Sequence, residues 1–371
     1  MQVTIPAPKA SSLPGQSTQY DILWISQQNF LKNEIQRITS LPGKDFLLVD
    51  ENVMKFHHDL ISDVFSKPAP IIIPSGEKSK SFKSLSELSE KLAGYPVRRN
   101  DRLWAIGGGV TGDLTGFLAS IYQRGIAFYQ VPTTLLSMVD SSVGGKTGIN
   151  LSQGKNMIGA FYRPCAVYIH TPFLETLPEN QKLSGLAEVF KSAVIRSPAL
   201  LRYLDDHVPQ IRNWDAEILG QLSQMAIKVK AEVVRKDEQE KSLRAILNFG
   251  HTLGHAIEAF LNYKKLTHGE AVSIGMAYAT YLSYQRNMIT EKYFQYLLEL
   301  QKNLGLPVSL GKIKKFDRTI AAKLVDLMAG DKKNIDDDLR FVLINAKAAV
   351  FPVKIPVQEA RKRLEEFAKI F

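Results

Sequence analysis

Three of the chain's seven histidines fall in one short stretch, His251-Thr-Leu-Gly-His255 followed by His268-Gly-Glu270. The i, i+4 spacing of the first pair would place both imidazoles on one helix face, one turn apart, as a metal site or a proton relay requires. Upstream, Gly185-Leu-Ala-Glu188-Val-Phe-Lys191 reads as helical and offers a carboxylate and an ammonium on neighbouring turns. Two histidines and a glutamate from separate helices, with a coordination position left open, make the ligand set of a catalytic divalent ion. Paired histidines at helical spacing also arise with no ligand between them, so this reading depends on what else the chain carries.

Two glycine-rich stretches add to it. Gly107, Gly109 and Gly112, in Trp104-Ala-Ile-Gly107-Gly108-Gly109-Val-Thr-Gly112-Asp113, satisfy G-x-G-x-x-G between a strand and a helix, where backbone can approach a pyrophosphate. The motif falls on the fourth strand rather than the first. No acidic residue follows at the interval that would hold a ribose, and Asp50, ending an earlier strand, is the better partner. Ser141-Ser-Val-Gly144-Gly145-Lys146-Thr147 looks like the end of an NTPase P-loop, but the position of its first glycine is taken by Asp140, whose carboxylate would face the phosphates. That reading is rejected. Lys146, Lys155 and Asn156, in what read as glycine-rich loops, suit phosphate, hydroxyl or carboxylate recognition.

The elements that must position these residues follow from periodicity. Apolar runs at 20–26, 45–49, 70–73, 102–106, 126–131 and 166–169 alternate with helical stretches such as 82–92 and 111–122, predicting a mostly parallel sheet with helices on both faces. From about Pro178 the texture becomes helical, over 183–195, 216–234, 251–261 and 271–304, with a hairpin at 340–344 and 350–355 before a final amphipathic helix. Two domains are expected, 1–178 and 179–371, and 371 residues suffice for two cores. The net charge of +10 invites a nucleic-acid reading, but the basic residues are scattered among acids and lack interleaved aromatics, which favours a small anionic substrate. No apolar run reaches a membrane span, no leader-like start is present, and the single cysteine, Cys165, expected to be buried, excludes an internal disulfide. A cytoplasmic protein with neither nucleic-acid nor membrane partners is expected.

Together these segments resemble the 3-dehydroquinate synthase family of sugar phosphate cyclases. The resemblance spans roughly residues 45–345 and is carried by Ser75-Gly-Glu77-Lys-Ser-Lys80, the run 107–124, Gln130-Val-Pro-Thr133-Thr134, Val139-Asp140-Ser-Ser-Val-Gly-Gly-Lys146, Gly154-Lys155-Asn156, Gly185-Leu-Ala-Glu188-Val-Phe-Lys191, the run 243–255, His268-Gly-Glu270 and Asp331-Lys332-Lys333. It implies a Rossmann-like α/β N-terminal domain that binds NAD and a mainly α-helical C-terminal domain that binds metal and substrate. It also implies a lyase of the shikimate pathway, serving chorismate and aromatic amino acid biosynthesis. The enzyme would convert 3-deoxy-D-arabino-heptulosonate 7-phosphate to 3-dehydroquinate and phosphate. Transient oxidation by NAD, phosphate elimination, re-reduction and intramolecular aldol closure leave no net redox change.

By the same resemblance Glu188, His251 and His268 hold a divalent ion, zinc or cobalt, and His255 serves the substrate phosphate and proton transfer. Lys146, Asn156, Lys191, Lys230, Arg244, Asn248 and Lys332 match substrate contacts. Asp50, Asn52, Glu77, Lys80, Gly108, Gly109, Asp113, Thr133, Thr134 and Asp140 match NAD contacts. Lys155, Phe173, Thr176, Leu177 and Gln181 complete that set.

Three departures from the family pattern stand out: Gln181 in place of a glutamate, His170 in place of an aspartate, and Lys241-Ser242 in place of a glycine pair. Competing readings are a sister cyclase acting on sedoheptulose 7-phosphate or glucose 6-phosphate, and a metal-dependent polyol dehydrogenase of the same architecture. Arg124 lies at the far end of the helix that starts at the glycine turn, about a dozen residues or roughly 18 Å away. The resemblance has it reach the site of a partner subunit in a homodimer.

Overall fold

Strands covered on both faces read as unbroken apolar runs, and those of the first half become the sheet of the N-terminal unit. The computed structural model describes residues 2–6, 19–65, 69–152, 154–237, 243–313, 316–330, 338–346 and 349–370. Lys332 and the Lys241-Ser242 pair lie outside them. The chain divides into two units, Met1–Pro178 and Glu179–Phe371. In the first, strands β1 (Gln2–Pro6), β2 (Gln19–Trp24), β3 (Asp45–Asp50), β4 (Ile71–Ile73), β5 (Arg102–Gly107) and β6 (Ala127–Pro132) precede a hairpin, β7 (Lys146–Leu151) and β8 (Gly154–Phe161), and then β9 (Ala166–Ile169). Helices α1 (Gln28–Thr39), α2 (Glu51–Phe56), α3 (His58–Val64), α4 (Phe82–Ala93) and α5 (Gly109–Ile121) connect them.

The seven-stranded sheet runs β1-β2-β9-β6-β5-β3-β4, parallel except where β1 pairs with β2. The chain leaves β3 toward β4 on one side and leaves β5 toward β6 on the other, so the winding reverses between β3 and β5. In open parallel sheets, ligands bind outside the carboxyl ends of strands at such a reversal. Asp50 ends β3 and Gly107 ends β5, so the sheet brings the candidate ribose partner and the glycine turn to that one place. Below them Trp104 stacks on Tyr129 at 4.5 Å between ring centroids and on Tyr168 at 5.9 Å, tying β5, β6 and β9 together. At the amino ends, buried Asp45 accepts hydrogen bonds from Arg102 Nε and Trp104 Nε1, both at 2.7 Å, so its charge is buried only with partners.

The second unit is helical: α6 (Glu179–Arg196), α7 (Pro198–Asp206), α8 (Val208–Arg212), α9 (Ala216–Lys236), α10 (His251–Phe260), α11 (His268–Gln285), α12 (Glu291–Asn303) and α13 (Arg318–Ala329) precede a hairpin, β10 (Asp338–Ile344) and β11 (Ala349–Pro356), and a last helix, α14 (Val357–Ile370). α11 is buried almost along its whole length, as its all-round apolar sequence requires. Its Tyr278 hydroxyl donates to the Ala360 carbonyl at 2.8 Å and anchors α14. Among the described residues no helix is long and apolar enough to cross a membrane.

The structure departs from the sequence expectation at four points. β1 was not anticipated; it is a short edge strand held by β2 alone. The glycine-rich stretch around Lys146 and Asn156 is a β-hairpin rather than loops. Gly148 faces Gly159 across it, and a Cβ on Gly159 would sit 2.1 Å from the Thr147 carbonyl oxygen, so glycine here serves close strand pairing. The expected helix over 271–304 is two helices, α11 and α12, separated where Asn287 takes φ 56° and Thr290 caps α12 by accepting from the Tyr293 amide. Cys165 is exposed rather than buried, although enough protein surrounds the thiol to raise its pKa by desolvation.

Candidate active site

Three helices of the C-terminal unit must approach closely before their side chains can share an ion, and glycine permits it. A Cβ on Gly269 would stand 2.2 Å from the Ser184 carbonyl oxygen, and one on Gly275 would stand 1.9 Å from that of Gly250, so α11 lies directly on α6 and on the start of α10. Gly250 itself takes φ 82°, turning the chain into α10 so that His251 is its first residue. His268 is the first residue of α11, behind a capping box in which Thr267 and Glu270 satisfy each other's amides. Glu188 lies one turn beyond Ser184 on α6, which sets it beside both histidines.

Glu188 Oε1 is 3.7 Å from His251 Nε2 and 3.8 Å from His268 Nε2. Its side chain is 2% exposed and ion-paired with Lys191, yet neither carboxylate oxygen has a hydrogen-bond partner among the described residues. One donor atom from each of the three residues lies within 4.8 Å of the others. Each imidazole has its other nitrogen engaged: His251 Nδ1 lies 3.2 Å from the Phe249 carbonyl, and His268 Nδ1 lies 3.1 Å from Glu258 Oε2. Nδ1–H donation to these acceptors leaves both Nε2 lone pairs turned toward Glu188, the tautomer a ligand needs. Among the described residues the buried carboxylate has Lys191 as its cationic partner, while two imidazole Nε2 atoms face it with their lone pairs, so the residues fit a divalent ion. Imidazole and carboxylate donors suit zinc or cobalt.

The two rings titrate in opposite directions. Burial, Lys191 and the neighbouring histidines hold His251 well below its ordinary pKa. Burial also opposes the charged form of His268, but the hydrogen bond and charge of Glu258, aided by Glu188, outweigh it and raise that pKa. His255 is exposed one turn after His251, their ring centroids 5.2 Å apart. Lys191 and Lys230 are buried on α6 and α9, and Arg244 is buried in the 3-10 segment Leu243–Asn248, which ends on Asn248 just before the ligand helix. Such burial of cations without an apolar role suits a site for anions.

The N-terminal unit builds a different site from the glycine turn. Gly108 stands before α5 with no side chain capping it, which leaves the first amides of the helix for a ligand. A Cβ on Gly107 would lie 2.9 Å from that of Asp50, one on Gly108 would lie 3.1 Å from the Thr134 methyl, and one on Gly109 would lie 2.9 Å from Ser141 Oγ. The Thr133 amide donates to the Gly107 carbonyl, which joins β6 to the turn. Asp50 Oδ1 accepts from the Asn52 amide at 2.9 Å and from Ser75 Oγ at 2.7 Å. Lys80 bonds both Asp113 and Asn156, and Asn150 joins them by donating to Glu77 Oε1 and accepting from the Asn156 amide. Asn156, matched to substrate, is thus tied to residues matched to NAD.

The remaining positions are more scattered. Lys146 and Lys155 lie on β7 and β8, and Asp140 lies in the π-helical turn Ser137–Ser141. Phe173, Thr176 and Leu177 follow β9. Thr176 Oγ1 lies 2.7 Å from His57 Nε2, and Phe173 meets the rings of His57 and His170 edge-on. Gln181 is exposed in the first turn of α6, within the C-terminal unit. His170 is 2% exposed, with Nδ1 2.9 Å from the Ile25 carbonyl and its pKa lowered by burial. Arg124 is exposed, with φ 68° between Gln123 and Gly125, also at positive φ, and its guanidinium has no partner among the described residues. Sequence reasoning missed Glu258, although its i+7 spacing from His251 places it on the same helix face, and it missed His57, Ser75 and Asn150.

Comparison with known proteins sets these two sites in context. A 2-epi-5-epi-valiolone synthase from Streptomyces hygroscopicus subsp. jinggangensis, solved with NAD+ and Zn2+ bound, superposes with TM-score 0.85 at 24% identity, covering 98% of this chain and 100% of that one. A 2-deoxy-scyllo-inosose synthase, solved with carbaglucose-6-phosphate, NAD+ and Co2+, gives TM-score 0.82 at 24% identity over 99% of this chain and 100% of that one. The fold is therefore that of the cyclases, an α/β unit followed by a helical one. Residues 70–184 match the 3-dehydroquinate synthase N-terminal model and residues 185–334 the C-terminal model. The 3-dehydroquinate synthase of Thermoanaerobacter pseudethanolicus is 41% identical over 84% of this chain and 88% of its own length, and that of Dictyoglomus thermophilum is 44% identical over 83% and 84%. The chain belongs to the 3-dehydroquinate synthase family.

Proposed function

We propose that the protein catalyses the 3-dehydroquinate synthase reaction, converting 3-deoxy-D-arabino-heptulosonate 7-phosphate to 3-dehydroquinate and phosphate with NAD and a divalent ion. The observation that carries the reading is the buried Glu188 carboxylate, ion-paired with Lys191 but without a hydrogen bond among the described residues, and faced by two imidazole Nε2 atoms at 3.7 and 3.8 Å. Glu188, His251 and His268 would hold the ion, which would supply Lewis-acid polarisation of a substrate hydroxyl, and the glycine turn would hold NAD, which would supply reversible hydride transfer.

The chain's own residues do the rest. Gly108 and Gly109 admit the cofactor pyrophosphate to the start of α5, and Asp50 takes the ribose at the winding reversal. Buried Lys191, Lys230 and Arg244 orient a substrate that carries both phosphate and carboxylate, and charge on them lowers the cost of the anionic leaving group. Lys146, Asn156 and Asn248 supply further polar contacts. His255, exposed on the ligand helix one turn after His251, holds or moves a proton at its imidazole nitrogen.

Arg124 gives the reading its quaternary part: the partner subunit's Arg124 completes the anion site of a homodimer. Its guanidinium, without a partner among the described residues, supports this, as do the exposed apolar side chains of Ile121, Met157 and Phe161. Coexpression tests it. Arg124→Ala and Glu188→Gln should each be nearly inactive alone, and their mixed dimers should regain part of the activity; verified heterodimers as inactive as either parent would refute the shared site. The reaction itself is tested by phosphate release from the heptulosonate substrate beside sedoheptulose 7-phosphate. Release from the first, with many turnovers per bound NAD and no accumulating NADH, is expected. Release only from the second, or stoichiometric NADH, would assign the chain to another activity.

A further inference from the structure

We infer that Glu258 is a positioning residue that fixes the ligand tautomer of His268. The inference rests on the metal reading above and concerns a residue that reading does not use. Glu258 lies two turns beyond His251 on α10 and is 5% exposed, with Oε2 3.1 Å from His268 Nδ1. A neutral imidazole carries one proton and one lone pair, and a carboxylate accepts rather than donates. Nδ1 therefore holds the proton, and Nε2, 3.8 Å from Glu188 Oε1, is left as the donor atom.

Packing of α10 on α11 holds this pair together. Gly254, one turn before Glu258, lies so close to α11 that a Cβ would stand 3.0 Å from Val272 Cα. The helix carrying Glu258 is thereby held against the helix carrying His268. Among the described residues the corresponding acceptor for His251 is the Phe249 carbonyl, so His268 is the imidazole ligand backed there by a charge. His255, Glu258 and His268 also lie close enough to hold an ion as a set. That set draws on the same Glu258 and His268 that the hydrogen bond already engages, so it is no independent cation site while that bond stands.

The test uses the full-length, metal-free protein with 15N-labelled histidine, His268 being assigned by the signals missing from His268→Gln. At a pH high enough to keep the ring neutral, protonated Nδ1 and bare Nε2 are expected in the unsubstituted chain, and a mixture of tautomers in Glu258→Ala. The zinc dissociation constant, measured by chelator competition, should rise about 10- to 100-fold in Glu258→Ala. It should rise less in Glu258→Gln, whose amide oxygen still accepts Nδ1–H without the charge. A bare Nδ1 in the unsubstituted protein, or an alanine variant with unchanged tautomer and affinity, overturns the inference and leaves the metal site standing. Absence of a stoichiometric zinc site in the unsubstituted protein overturns both. If Glu258→Ala does not fold, the tautomer of the unsubstituted chain and the affinity of Glu258→Gln decide, and an affinity equal to the unsubstituted value counts against Glu258.

Discussion

The two units build their sites from opposite materials. The N-terminal unit offers backbone: uncapped amides at the start of α5, with glycines at 107, 108 and 109 keeping Asp50, Thr134 and Ser141 just clear of the turn. The C-terminal unit offers buried side chains, Glu188, His251 and His268, brought together from three helices. Glycine serves both, but for different neighbours. At the turn it leaves room for side chains that can shift, whereas at 269 and 275 it leaves room for the backbone of another segment. Substitution should therefore separate binding from folding according to the unit it strikes.

The largest effect is expected where a donor atom is removed. His251→Ala and Glu188→Gln should each lose stoichiometric zinc or cobalt by elemental analysis and lower turnover by roughly 10³-fold, the worth of a few kcal/mol of charge stabilisation. A variant with full metal and full turnover would break the assignment of the helical unit. One turn along, His255→Ala should keep the metal and slow turnover by roughly 10²-fold or more. Equal metal loss in the His251 and His255 variants would show the ligands wrongly divided.

A pair of glycine substitutions sharpens the contrast between units. In Gly275→Ala the new methyl would meet backbone at 1.9 Å, which cannot swing aside, so thermal unfolding should show a loss of about 1–3 kcal/mol. In Gly109→Ala it would meet the Ser141 side chain at 2.9 Å, which can rotate. That variant should keep near-normal stability and bind NAD about tenfold more weakly, a loss of ~1.4 kcal/mol read by titration. If Gly109→Ala were the less stable of the two while binding NAD normally, the difference drawn between the units would fail.

Sequence carried much of this because both sites rest on local spacing. His251 and His255 announce a shared helix face, and the strand–glycine–helix order announces the turn. Glu258 stayed hidden because a glutamate on an amphipathic helix looks like a solvated charge until the neighbouring helix is in place. The β7–β8 hairpin stayed hidden because its glycines read as loop, and only the pairing of Gly148 with Gly159 shows why both must lack a side chain. The break between α11 and α12 left only Asn287 and Thr290 as signals within continuous apolar periodicity.

The smallest expected effect tests whether His170, in the N-terminal unit, acts only through packing. The ring is 2% exposed, and burial lowers its pKa from the ordinary 6.5, with the Ile25 carbonyl and Glu175 opposing. Above 6.5 the ring is neutral in both the folded and unfolded chain, so it adds no pH dependence. Below 6.5 the unfolded chain takes up a proton that the folded chain resists, and stability falls with pH until the lowered folded value is passed. His251 and His57 are lowered in the same direction and His268 is raised, so other rings also shape the pH profile of the whole protein, and the contribution of His170 must be read as a difference. His170→Gln retains an N–H donor for the Ile25 carbonyl and removes the titration. Its melting temperature should therefore fall less between pH 7.5 and 5.5 than that of the unsubstituted chain, with little change at pH 7.5. Parallel pH profiles for the two proteins would mean that the ring is not held neutral, and that its burial against Phe173 is looser than the structure has it.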